Sequence, residues 1–508
     1  MGDDVRKRIL SGRPAGRLDL AHVSHKPIPK MPDSYDTIVI GAGQGGGPLA
    51  GTVAEDGQSV ALLERTHVGG TCVNEGCTPT KTMIASARVA HLARRAEDYG
   101  VHVGDVSVDL ETVRRRKRDI VESFRSGSRS SIEEKDSLDL IDGDGRFVDA
   151  HTVEVPLSNG ETRTLTADRI TINTGARPVI PPIDGIDDID VLTSTSIMEL
   201  GAVPEHLLIL GGGYIGLEFG QMFRRFGAEV TIIDRGEHVL DREDTDVAEA
   251  LQDILREDGI RILTETSATA VESTDETITA HLEGDDAPAQ VAGDEVLVAV
   301  GRRPNTDDLN LDAAGVETTE RGYVQVDDRL ATTANGIYAI GDVTGGPAFT
   351  HVSYDDYRVL SNNWLRDGDR TTEDRLISYT LFTDPQLGRV GLTEEQARAR
   401  DFDVTVAQMP MTHVARALEV DETRGLMKAV IDSETNQLLG AAILGIEGGE
   451  VMSVLQTAMM GSLPVDRLQA APFAHPTLAE SLNNLFAGLD LGPSGGRPRC
   501  YEPEGEDQ

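Results

Sequence analysis

Twice along this 508-residue chain an apolar run stops at G-x-G-x-x-G, and each time an acidic residue follows 18 positions after the third glycine. The first copy, Thr37-Ile-Val-Ile-Gly41-Ala-Gly43-Gln-Gly-Gly46, leads to Glu64 at the end of Ser59-Val-Ala-Leu-Leu. The second, Leu207-Leu-Ile-Leu-Gly211-Gly-Gly213-Tyr214-Ile-Gly216, leads to Asp234 after Glu229-Val-Thr-Ile-Ile. The glycines let the backbone turn tightly and approach a pyrophosphate. The helix N-terminus that follows attracts the anion, and the carboxylate accepts from a ribose hydroxyl. One such motif is often only a glycine-rich turn. Two, each with strand, helix and acidic residue in place, predict two dinucleotide-binding βαβ units in an α/β protein.

Just after the first unit stands Gly-Gly-Thr-Cys72-Val-Asn-Glu-Gly-Cys77-Thr-Pro79-Thr-Lys81, and the only other cysteine is Cys500. The pair could be a zinc half-site, a structural disulfide, two buried thiols or a redox-active dithiol. Zinc takes four ligands from paired clusters, and no second Cys or His cluster exists. A disulfide across so short a gap would constrain the unfolded chain little. The redox reading leads, and the adjoining dinucleotide motif strengthens it.

Composition narrows the partners. The chain has 47 basic and 86 acidic residues, a formal charge of −39, and only seven of the basic residues are lysine. Nucleic acid, itself polyanionic, is excluded as a partner. Acidic residues in every region and depleted lysine point to a high-salt, halophilic cytoplasm, where a Debye length of about 3 Å at molar salt screens self-repulsion. Three cysteines fit a reducing cytoplasm. No run of about 18 apolar residues predicts a membrane span. The basic N-terminus to Ser34 has no apolar core, so it is not a secretory signal. It reads as a solvated arm, with docking to a partner subunit as the alternative.

Along the chain, 107–135 reads as a charged helix with a solvated face, followed by extended runs at 145–155 and 162–172. The second unit adds a helix at 244–258 and strands at 260–263 and 295–300. From about 376 a third unit carries strands at 423–431 and 438–445 and two helices. A Gly/Pro-rich tail with Cys500 and acidic residues follows.

Two dinucleotide motifs around a cysteine pair resemble the class I pyridine-nucleotide–disulfide oxidoreductases, which include glutathione reductase, dihydrolipoyl dehydrogenase and mercuric reductase. Further matches are Thr171-Ile-Asn-Thr-Gly175-Ala-Arg-Pro178, Gly301-Arg-Arg-Pro304-Asn305, Gly336-Ile-Tyr-Ala-Ile-Gly341-Asp342 and His475-Pro-Thr-Leu-Ala-Glu480. Ser353-Tyr-Asp-Asp-Tyr357-Arg and the run from His475 to Phe486 resemble the mercuric-reductase-like subgroup that includes copper-reducing, reactive-chlorine-resistance enzymes. The resemblance implies two Rossmann-like domains, for FAD and NAD(P), and a C-terminal α+β dimerisation domain. Its boundaries would be an extension at 1–34, FAD domain at 35–190 and 305–365, NAD(P) domain at 191–304, dimerisation domain at 366–490 and acidic tail at 491–508.

It also implies roles. FAD would lie on Gly41, Gly43, Gly46 and Glu64, with Asp342 on its ribityl chain and Gly175 and Gly341 nearby. NADH or NADPH would lie on Gly211, Gly213, Gly216, Asp234 and Gly301, with Tyr214 as an aromatic gate. Lys81 and Glu218 would form an ion pair beside the flavin. Electrons would run from the nicotinamide through FAD to Cys72–Cys77. Cys77 would be the charge-transfer thiolate and Cys72 the outward nucleophile, or both would be transient ligands of a substrate metal ion; no structural metal is expected. His475, oriented by Glu480 and supplied by the other subunit of a homodimer, would be the acid/base. Asp234 favours NADH, although Arg235 could accommodate a 2′-phosphate.

Departures from the pattern divide the substrates. Mercuric reductases typically end in vicinal cysteines, often add an N-terminal metal-binding domain, and lack the histidine that stands here as His475. Dihydrolipoyl dehydrogenases fit His475 and Glu480, but fit less well around Thr78-Pro79-Thr80-Lys81. A small disulfide, Hg(II), Cu(II) or a quinone remain the acceptors, and a non-turnover flavoprotein sensor or scaffold is the reading from another class.

Overall fold

A computed structural model describes residues 34–489 apart from 158, 275, 276 and 374. The N-terminal arm up to residue 33 and the tail with Cys500 lie outside the described residues.

The first sheet is built on Ser34–Ile40, whose residues from Thr37 to Ile40 are all buried, as a parallel strand covered on both faces requires. Val60–Glu64 and Thr162–Ile172 flank it in parallel, and Leu138–Asp142 adds an edge. Thr162–Ile172 also begins an antiparallel meander with Thr152–Pro156 and Arg146–Asp149. At its other end it takes Ile337–Ala339, which returns from far along the chain. Asn173 N donates to Ile40 O at 2.8 Å and Ile340 N to Ile172 O at 3.0 Å, so three strands end level. Gly41, Asn173 and Gly341 follow them at the C-terminal edge, where open α/β sheets bind ligands.

The second sheet is wholly parallel, in the order Arg261–Leu263, Glu229–Ile233, His206–Leu210, Glu295–Val298. Beside it lies an antiparallel ribbon, Ser267–Ser273, Ile278–Glu283 and Gln290–Gly293, which the sequence reading did not separate. The third unit is a five-stranded antiparallel sheet, Ser378–Leu381, Gln386–Gly391, Leu438–Gly445, Leu426–Asp432, Val404–Pro410. Only two of its strands were read from the sequence. Ser378–Leu381 has four residues, too few to show a period. Three further helices, Glu394–Ala399, Ala415–Glu419 and Val465–Gln469, join Gly448–Met460 and Ser481–Ala487.

The charged helix also corrects its reading as a merely solvated face. It spans Leu110–Glu133, capped by the Asp109 carboxylate accepting from Thr112 N at 3.2 Å. Lys117 is buried against Glu199, Arg116 Nη1 donates to Thr82 O at 2.8 Å, and Arg125 Nε to Asn74 Oδ1 at 2.8 Å. The helix thereby braces both segments that carry the cysteines.

A buried ionic junction joins the three units. Arg225, 5% exposed, donates to Asp384 Oδ2 at 2.6 Å and reaches Asp258 at 3.5 Å. Arg424 reaches Asp258 and Glu422 at 2.7 Å each, while Arg88 approaches Asp384 at 3.9 Å. Burial, aided by Arg225, takes the neighbouring His91 down to about 4 and keeps it neutral. Removing one partner from such a cluster leaves a buried carboxylate uncompensated. Arg225→Met should therefore cost about 3–5 kcal/mol, read as a lowered denaturation midpoint. An unchanged midpoint would show that the junction does not hold the units together.

Candidate active site

The two glycine loops are built alike. Gly41 has φ +107° and Gly211 φ +109°, the left-handed region that favours glycine. A Cβ on Gly46 would collide with Gly41 O, and one on Gly216 with Gly211 O, so the third glycine of each motif serves close packing rather than ligand contact. Each acidic residue grips its own loop. Glu64 Oε2 accepts from Ala42 N at 3.0 Å, and Asp234 Oδ2 from Gly212 N at 2.5 Å. Their other oxygens accept from Thr66 N at 2.9 Å and Gly236 N at 2.7 Å.

One cavity of about 2220 Å³ runs from the first loop past the cysteines to the second. Ordinary small-molecule sites occupy roughly 300–1,000 Å³, so this volume suits two dinucleotides meeting end to end. Gly41, Gly43, Glu64, Cys72, Cys77, Lys81, Gly175, Gly211, Gly213, Tyr214, Glu218, Asp234, Gly301 and Asp342 all line it. The backbone approach of the glycines and the two carboxylates fit FAD and a pyridine nucleotide. Asp342 is pushed up by burial, opposed by Arg302.

The cysteines do not share a helix. Cys72 lies on the short helix Gly70–Asn74, and Cys77 opens the 18-residue helix Cys77–Arg94 after a break at Glu75 and Gly76. Cys77 Sγ is 3.4 Å from Thr350 Oγ1, and Thr350 begins the helix Thr350–Leu365. Hydrogen bonding from Cys72, then from Thr350, and the Lys81 charge bring Cys77 down to about 6 against the effect of burial. The same pairing, reinforced by burial, pushes Cys72 up. The start of the helix at Cys77 favours the charged form of that thiol over Cys72.

Lys81 Nζ donates to Glu218 at 2.7 and 3.0 Å and lies 4.9 Å from the centre of the Phe382 ring. Glu218 Oε1 also accepts from Phe382 N at 2.9 Å. His475 Nδ1 is 2.8 Å from Glu480 Oε2, but the pair is exposed and does not line the cavity within one chain. Gly341 is likewise outside the lining, its φ of +75° shaping the turn into Asp342. Sequence reasoning missed Asn173, whose Nδ2 donates to Gly41 O at 3.0 Å, as well as Thr350, Tyr379 and Arg389. Asn173 lay inside a quoted motif; the others reach the site only through tertiary packing.

Residues 35–356 match the family of pyridine nucleotide-disulphide oxidoreductases, and residues 377–486 match its dimerisation domain. The chain belongs to this family and is an FAD-dependent oxidoreductase working with a pyridine nucleotide, not a passive scaffold. It is 38% identical to the probable pyridine nucleotide-disulfide oxidoreductase RclA of Escherichia coli (strain K12), over 90% of this chain and 99% of RclA. A solved structure, the Cu(II) complex of HOCl-induced flavoprotein disulfide reductase RclA from Escherichia coli, superposes with a TM-score of 0.82, covering 89% of this chain and 99% of that one. The mercuric reductase of Staphylococcus aureus is 36% identical over 88% of this chain and 81% of its own. The dihydrolipoyl dehydrogenase of Geobacillus stearothermophilus is 32% identical over 88% and 94%. Among the described residues no helix is long and apolar enough to cross a membrane, and no cluster of three or more His, Cys, Asp or Glu could hold a resident metal.

The unequal thiols give a direct test. In the reduced protein, ultraviolet thiolate absorbance should show one group losing its charge as pH falls through about 6. Cys77→Ser should abolish that step and let Cys72 ionise at a lower pH than in the parent. Survival of the low step in Cys77→Ser would reverse the order of the two thiols.

Proposed function

We propose that this enzyme takes electrons from NADH and delivers them through the Cys72–Cys77 dithiol to a thiol-binding metal ion, Cu(II) or Hg(II), with small disulfides as a second substrate class. The observation that carries this reading is a cavity-lining pair of unequal thiols in a chain so similar to a protein solved as a Cu(II) complex. Thiolates are soft ligands, which favour Hg(II) and the Cu(I) formed when Cu(II) is reduced. Re-forming the Cys72–Cys77 bond releases two electrons, enough for two Cu(II) to become Cu(I) or for one Hg(II) to become the metal.

In this reading FAD, held by Gly41, Gly43, Glu64 and Asp342 in the unit formed by 35–190 and 305–365, supplies the two-electron relay between nicotinamide and disulfide. Gly211, Gly213, Asp234 and Gly301, in the unit 191–304, hold the nicotinamide cofactor. Tyr214 covers the path that the nicotinamide would have to take. Lys81, fixed by Glu218, presents a cation where negative charge develops beside Cys77. Cys72 faces the substrate. The dimerisation unit at 366–490 pairs two chains, so that His475 and Glu480 of each complete the site of the other. The acidic, lysine-poor chain works in a reducing, high-salt cytoplasm.

Dihydrolipoyl dehydrogenase is the second reading, favoured by the His475–Glu480 hydrogen bond. His475→Ala should lower disulfide turnover by at least the ~10²-fold of a general acid/base. Metal reduction, which releases no thiol needing a proton, should survive the change far better. Efficient dihydrolipoamide turnover with no response to Cu(II) or Hg(II) would reverse the assignment.

Cofactor choice rests on the Asp234 carboxylate, which would repel a 2′-phosphate. Comparison of kcat/KM should favour NADH, and a clear preference for NADPH would instead credit Arg235 with binding that phosphate.

A further inference from the structure

Four rings crowd the cavity between the second glycine loop and the cysteine pair. Tyr214, the residue after Gly213, meets Tyr379 edge-on at 5.4 Å and Phe349 at 6.2 Å. Phe349 stacks on Tyr379 at 5.3 Å and on His351 at 5.5 Å. All four line the cavity. Tyr379 also carries a tether. Its hydroxyl donates to Glu243 Oε1, and Glu243 Oε2 accepts from Arg389 Nε at 2.8 Å and Nη2 at 2.5 Å. Arg389 is 1% exposed, directly opposite Tyr379 in the C-terminal sheet, and reaches Asp244 at 3.2 Å. Glu243 and Asp244 precede the helix Thr245–Glu257 of the second unit. The ring against Tyr214 is therefore fastened across a boundary between units by a buried ion pair. Burial and the Glu243 charge push the Tyr379 phenol up, so it remains a donor.

We propose that Tyr379 is a positioning residue for Tyr214, a tethered stop whose attachment to Glu243 and Arg389 sets how often the Tyr214 ring leaves the path from the second glycine loop to Cys77. The inference rests on the reading of Tyr214 as the ring that a nicotinamide must displace. A ligand that binds only the displaced state loses apparent affinity in proportion to the rarity of that state. Loosening the stop should thus tighten nicotinamide binding. A purely structural Tyr379 gives the opposite sign or no change.

The test is calorimetric binding of NAD⁺ to the oxidised holoenzyme. Tyr379→Phe keeps the ring and cuts the tether, and should bind NAD⁺ about 5- to 10-fold more tightly, the factor that one modest hydrogen bond represents. Tyr214→Ala should tighten binding at least as much, and the double variant should add nothing to it. Arg389→Lys, which keeps the charge but loses the two-pronged hold on Glu243, should shift affinity in the same direction and stands in if Tyr379→Phe fails to fold. Tightening by Tyr214→Ala with unchanged or weaker binding in the Tyr379 or Arg389 variant, or full additivity in the double variant, overturns the tether alone. Unchanged affinity in Tyr214→Ala overturns the reading of Tyr214 itself, and the tether with it.

Discussion

One buried carboxylate, Glu218, ties together the three parts of this molecule at the place where they must meet. It sits on the helix that opens after the second glycine loop and accepts from Lys81 on the cysteine helix and from the backbone of Phe382 in the C-terminal unit. A carboxylate 6% exposed is tolerable only when such partners replace water. The cation at Lys81, the helix that starts with Cys77 and the approach to Tyr214 are thereby referred to a single point. The Arg225 junction repeats the device one turn or more further along the same helix, with Asp384 in place of the Phe382 amide. Geometry at the dithiol is thus set by contacts between units rather than within one.

The two nucleotide units were legible because their information is local. Strand, loop and acidic residue follow one another in the chain, and Glu64 and Asp234 occupy matching places against their loops. The pairing of Lys81 with Glu218 was accessible only through family resemblance, since 137 positions separate them. What stayed hidden was tertiary. Nothing in the sequence around Thr350 points to Cys77, and Tyr379 looks like any tyrosine of a short strand. The break between Cys72 and Cys77 falls at Glu75 and Gly76, where a glycine costs a helix about 1 kcal/mol relative to alanine. The run from Arg114 to Arg118 reads as a solvated stripe until Glu199 and the carbonyl of Thr82 are brought beneath it.

Charge usage has a structural counterpart. Each of the four lysines among the described residues has a carboxylate partner: Lys81 with Glu218, Lys117 with Glu199, Lys135 with Glu55, and Lys428 with Asp246 and Glu394. At these four positions a compact ammonium is paired, while arginine, with its planar fork, holds bidentate positions such as Arg389 on Glu243. The large acidic excess therefore coexists with interior sites that are close to charge-balanced.

The grip of Asp234 on its own glycine loop bears on how cofactor choice could change over evolution. Both of its oxygens already accept backbone N–H groups, from Gly212 and Gly236. Exchanging it for a neutral residue to admit a phosphate would also release the glycine loop it holds. Arg235 and Arg242 line the same stretch of cavity and offer positive charge there without loosening the loop. Here the path of adaptation is narrowed by a residue whose hold on the loop comes together with the recognition proposed for it.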